Sequence, residues 1–125
     1  MTTQQHRVLA TDGRIWSVVS LEDGNVLLDL ASVGLVCSPA DFAILTRMIS
    51  AGTSIYTTGD IIACAGPRRV CWACSHNVVV LLFDQTMLRL FTTELPPLCH
   101  MCQKALDTLG PVDAEPKTLP NTLLN

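Results

Sequence analysis

Short apolar runs separated by polar breaks set the plan of this chain. Residues 14–21 carry Ile15, Trp16, Val18, Val19 and Leu21, a loose two-residue alternation that predicts a strand. Glu22-Asp23-Gly24-Asn25 follows, and Gly and Asn tolerate the positive φ of a tight turn. Val26–Leu30 predicts the partner strand, residues 31–34 a turn, and Leu35–Cys37 a short further strand. Ser38-Pro39-Ala40-Asp41 then opens a helix: Ser38 can cap, Pro39 fits the first helical position, and Asp41 complements the positive end of the dipole. Phe42, Leu45, Met48 and Ile49 share one face of it, and Gly52 ends it.

The second half repeats the rhythm. Residues 53–60 are polar and read as a connector, Ile61–Ala65 as a short strand stopped by Gly66-Pro67. Residues 77–83 and 87–91 predict two strands joined at Asp84-Gln85-Thr86. Thr92-Thr93-Glu94 and Pro96-Pro97 open a second helix that places Cys99, Cys102, Leu106 and Leu109 along one face and stops at Gly110-Pro111. Residues 1–10 are expected to fray. Residues 111–125 hold Pro111, Pro116 and Pro120 without periodicity, which predicts a flexible tail.

These elements predict an α+β fold of two ββα units, each a hairpin plus a helix, sharing one core. The first unit covers residues 1–60, the second 61–110, and the tail 111–125. The halves align as a repeat, Ile15–Val18 against Cys71–Cys74, Asn25-Val26 against Asn77-Val78 and Ser38–Phe42 against Phe91–Leu95, with an insertion between them. Val78–Phe83 is apolar on both alternating faces. Such a strand needs cover on both sides, from the other half or from a second copy, so a homodimer is one expectation.

Composition narrows the classes. With 125 residues, 49% apolar and 15% charged, the chain can build a core. A net charge of −3 makes it a poor nucleic-acid binder, since phosphate contacts need a basic face. Arg68, Arg69, Arg89 and Lys104 make at most a small basic patch. No apolar run reaches the ~18–20 residues that span a bilayer. The polar residues 1–7 lack the apolar core of a signal peptide, so a cytoplasmic location is expected, where thiols stay reduced.

That setting gives the cysteines their meaning. Cys71-Trp72-Ala73-Cys74 and Cys99-His100-Met101-Cys102 are two Cys-x-x-Cys pairs on either side of the predicted hairpin. Two such pairs can supply the four thiolates of a closed tetrahedral metal site, which leaves no open position for catalysis. The helix start under Cys99 and Cys102 would favour thiolates there. The order of paired cysteines, hairpin and helix with two more resembles the treble-clef family of zinc fingers over about residues 70–110. The resemblance implies a zinc ion held by Cys71, Cys74, Cys99 and Cys102. It also implies no single function, because the family serves protein binding, nucleic-acid binding and enzymes alike. This chain has Trp72-Ala73 between the first pair, without the family's usual Gly or Pro.

Iron is the competing ion for four sulfurs. A dithiol redox pair at Cys99/Cys102 is a third reading, and three disulfides among six cysteines a fourth. His76 and His100 flank the pairs, and Cys37 and Cys64 read as inert apolar thiols. No grouping of Ser, His and carboxylates suggests a hydrolase. The expected function is that of a small non-enzymatic zinc-binding protein acting through protein–protein contact, as an adaptor or subunit of an assembly. A nucleic-acid-binding regulator and a thiol redox protein are the alternatives.

Overall fold

A computed structural model describes residues 7–13, 15–54 and 56–110. The fold is mixed α+β, built from two antiparallel four-stranded sheets and two helices. The first sheet holds β1 (Arg7–Asp12), β2 (Trp16–Ser20), β3 (Val26–Asp29) and β4 (Gly34–Cys37) in sequence order. Helix α1 (Pro39–Ala51) follows. The second sheet holds β5 (Ile61–Cys64), β6 (Arg69–Ser75), β7 (Val78–Phe83) and β8 (Thr86–Phe91), again in order. A 3₁₀ turn at Thr92–Glu94 leads into α2 (Leu95–Leu109).

Each hairpin-and-helix unit is therefore larger than predicted, four strands before each helix. Two strands were missed. The frayed start is corrected for residues 7–10, which lie in β1; residues 1–6 lie outside the described set, as does the tail at 111–125. The stretch around Cys71 and Cys74 is the strand β6.

The local chemistry of the caps holds. The Asp41 N–H donates to Ser38 Oγ at 3.1 Å, with Pro39 at the head of α1. Gly24 has φ 91, and Asp23 Oδ1 accepts from the Asn25 N–H at 3.0 Å in the β2–β3 turn. Gly110 has φ 85 and donates to the Leu106 carbonyl at 3.1 Å, closing α2 in the left-handed cap that glycine allows.

The register reveals a repeat more regular than the one expected. Counterparts lie 53 positions apart. Val8 pairs with Val19 and Ile61 with Trp72; Ala10 pairs with Val18 and Ala63 with Cys71. A one-residue bulge falls at Leu9 in β1 and at Ile62 in β5. Val18–Leu28–Leu35 in the first sheet corresponds to Cys71–Leu81–Leu88 in the second. Even the two non-glycine residues with positive φ, Ala31 (73°) and Asp84 (60°), are counterparts at the last hairpin turn of each sheet. Phe42, Leu45 and Met48 of α1 match Leu95, Leu98 and Met101 of α2, all buried. The expected insertion is absent. The matches of Ile15–Val18 with Cys71–Cys74 and of Asn25 with Asn77 are out of register, since the ladders place Val18 on Cys71 and Val26 on Val79.

By Cα proximity the described residues of Met1–Ala43 with Gln103–Asn125 form one compact unit, and Ile44–Cys102 the other. In the second unit the core is built from Val79, Leu81, Phe83, Leu88, Leu95 and Leu98, all nearly sealed from water. No described helix is long and apolar enough to cross a membrane.

Candidate functional site

The four predicted ligands all lie in the second unit, in two environments. Cys71 is a core residue of β6, 1% exposed, in the position that Val18 holds in the first sheet. Three residues further on, Cys74 is exposed and unpaired, the extra residue of a second bulge in β6 between Ala73 and Ser75. On α2, Cys99 is half-buried and Cys102 fully buried. Cys102 stands where α1 has Ile49, also fully buried. Both lie beyond the first turn of α2, which begins at Leu95, so the free amides of a helix start are not beside them.

Burial pushes the Cys71 thiol up to about 11. With no metal ion beside it, this thiol is neutral over the ordinary pH range. None of the six cysteines is joined in a disulfide. Among the described residues no three of His, Cys, Asp or Glu are grouped so as to hold a metal ion. The first pair has one cysteine in the core, Cys71, and one in solvent, Cys74, so its two members lie in different environments. The same burial leaves Cys102 a poor attacking thiol for redox exchange.

The basic residues are partly engaged. Arg69 forms two 2.9 Å hydrogen bonds from its guanidinium to the two carboxylate oxygens of Asp84, and its guanidinium lies 4.4 Å from the Phe83 ring centroid. That hydrogen bond, the main cause, and the nearby charges of Arg69 and Arg68 hold the Asp84 carboxyl below its ordinary value. Arg89, by contrast, is exposed on β8 and has no hydrogen bond or ion pair among the described residues.

Sequence reasoning passed over Tyr56. Its hydroxyl is shielded from solvent without a hydrogen-bond partner among the described residues. Desolvation first, and then Cys71, raise its pKa. It lines an open cleft of about 270 Å³ with Ser54, His76, Thr92 and Pro96. Among the described residues no hydrogen bond joins the Ser54 or Thr92 hydroxyl to His76.

The clearest unusual feature is the outer face of the second sheet. In the first sheet the cross-strand row Thr11–Ser17–Asp29–Gly34 is polar or small. Its counterpart is Cys64–Val70–Leu82–Met87. The next row, Ile61–Trp72–Val80–Arg89, has buried Val80 at its middle and is apolar up to its last member, as its first-sheet counterpart Val8–Val19–Leu27–Val36 is throughout, so the difference between the sheets lies in the Cys64–Met87 row. Ile61, Met87 and Phe91 are 69%, 61% and 57% exposed. The two-sided apolar character of Val78–Phe83 was legible in the sequence; its continuation across β5, β6 and β8 was not.

Comparison with protein-family models, with curated proteins and with solved structures finds no match.

Proposed function

We propose that this chain is a non-enzymatic interaction module, an adaptor or subunit that binds a protein through the outer face of its second sheet. One observation carries the reading. Where the first sheet has a polar outer row, the second substitutes Cys64, Val70, Leu82 and Met87 in the same register. The fold does not require this, since the first sheet forms with the polar row. Cys64 and Met87 are exposed and Val70 and Leu82 half-buried, and accessible apolar area running across a sheet face marks a contact surface. Site-specific photo-crosslinking in cells tests it. A photoreactive residue at Ile61 or Met87 should capture one discrete polypeptide, and the same group at Thr11 should not. Equal labelling from all three positions, or none, would sink the reading.

The four-cysteine zinc reading stands second, favoured by Cys71, Cys74, Cys99 and Cys102 lying in one compact unit. It requires β6 to rearrange so that Cys71 and Cys74 face the same ion. Zinc at one equivalent per chain, in protein purified under reducing conditions without a metal column, would support it; metal-free folded protein would end it.

A further inference from the structure

The hydrogen-bonding direction of β8 points to a specific mode of contact. The Thr92 N–H donates to the Asn77 carbonyl at 2.9 Å, across the β7–β8 pair. In an antiparallel strand the backbone groups of alternate residues point the same way. Leu88 and Leu90 therefore turn their N–H and C=O groups toward β7. Met87, Arg89 and Phe91 turn theirs away, where β8 is the last strand of the sheet. The Phe91 N–H is taken by Glu94 Oε1 at 2.9 Å, which closes the edge at that end. The outward groups of Met87 and Arg89 have no partner among the described residues. The same three residues place their side chains on the exposed outer face, as apolar, cationic, apolar.

The other edges differ. β1 and β5 carry bulges at Leu9 and Ile62, which twist an edge away from pairing. β4, the counterpart of β8, has four residues, and its corresponding positions are Gly34, Val36 and Ser38, the last occupied in capping α1. β8 alone combines length, regular pairing, exposed apolar side chains and an unpaired charge.

We infer that β8 accepts an extended segment of another protein as a fifth strand of the second sheet, and that the segment presents an apolar, an acidic and an apolar residue at alternate positions. This rests on the contact reading above and names the occupant. Main-chain hydrogen bonds from Met87 and Arg89 supply the affinity, and the alternate side chains supply the selection. The apolar–acidic–apolar pattern reads the same in both chain directions, so it fits a parallel or an antiparallel addition. A second copy of this chain is the poorer occupant. Pairing β8 with itself about Arg89 sets two like charges directly opposite one another, which is destabilising.

The test uses the full chain and a capped nine-residue peptide with valine, glutamate and isoleucine at alternate central positions and threonine elsewhere. NMR-detected amide exchange should show Met87 and Arg89 exchanging fast in the free protein and slowly with the peptide. Leu88 and Leu90, bonded to β7, should be slow throughout. A peptide with lysine in place of glutamate should bind about tenfold more weakly. Arg89→Glu, at an exposed position, should invert that preference while leaving circular dichroism unchanged. No change at Met87 and Arg89, or a preference that Arg89→Glu leaves alone, would overturn the inference. So would slow exchange of both amides in a free protein that sediments as a dimer. Any of these results leaves the crosslinking outcome at Ile61 and Met87 free to stand, so the two readings fail separately.

Discussion

At the scale of single residues, the paired turns separate backbone demand from side-chain function. Ala31 and Asp84 occupy the same left-handed position, which costs an L-residue roughly 1–2 kcal/mol. Glycine removes that cost and returns roughly 0.5–1 kcal/mol as unfolded-state freedom. Ala31→Gly should therefore stabilise by about 0.5 kcal/mol in urea denaturation. Asp84→Gly should not, because it also discards the carboxylate that receives two hydrogen bonds from Arg69. Cys71 makes a second residue-scale case. Since Val18 fills the counterpart position, Cys71→Val should fold with a thermal midpoint close to that of the parent. A collapse of the fold on that substitution would show the sulfur doing something valine cannot. Iodoacetamide at pH 8 should modify exposed Cys64 and Cys74 in the native protein well before buried Cys71 and Cys102.

Among the elements, the middle strands hold each sheet. Leu28 and Leu81 are counterparts in β3 and β7, both fully buried. Each substitution to alanine should cost about 2–5 kcal/mol. Met87→Ala on the exposed edge should change stability by about 0.5 kcal/mol or less. Chemical denaturation of the three variants checks the ordering. This is also the scale at which the sequence was least legible. Helix boundaries came through because Ser38, Pro39, Pro96 and Gly110 act locally, on amides and carbonyls within one turn. β1 did not, because the bulge at Leu9 breaks the alternation by which a strand is read. β6 was hidden by chemistry: a cysteine is at once a small apolar residue and a metal ligand, and spacing alone cannot say which. Only the cross-strand register, with Val18 as the counterpart of Cys71, supplies the environment that decides. Edge polarity was likewise beyond reach, since it depends on which strand is last.

For the molecule as a whole, Asp84 shapes the acid side of the expected pH profile, and Cys71, with Tyr56 beside it, the alkaline side. The folded-state pKa of Asp84 is depressed, so its contribution is present above the ordinary Asp value and is lost as pH falls through the folded one. The folded-state pKa of Cys71 is raised from 9.0 to about 11, so its contribution is complete below 9.0 and is lost as pH rises through about 11. Thermal midpoints measured across pH should drop at both ends. Asp84→Asn should blunt the acid limb, and Cys71→Val the alkaline one.

The bulges in β1 and β5 have one more consequence. An open sheet with two equally receptive margins can grow without limit, each newcomer offering a fresh margin to the next. Here one margin of the second sheet is kinked at Ile62 and the opposite one is regular. Copies of this chain therefore lack, in the second sheet, the matched pair of edges that edge-to-edge growth into a fibre needs.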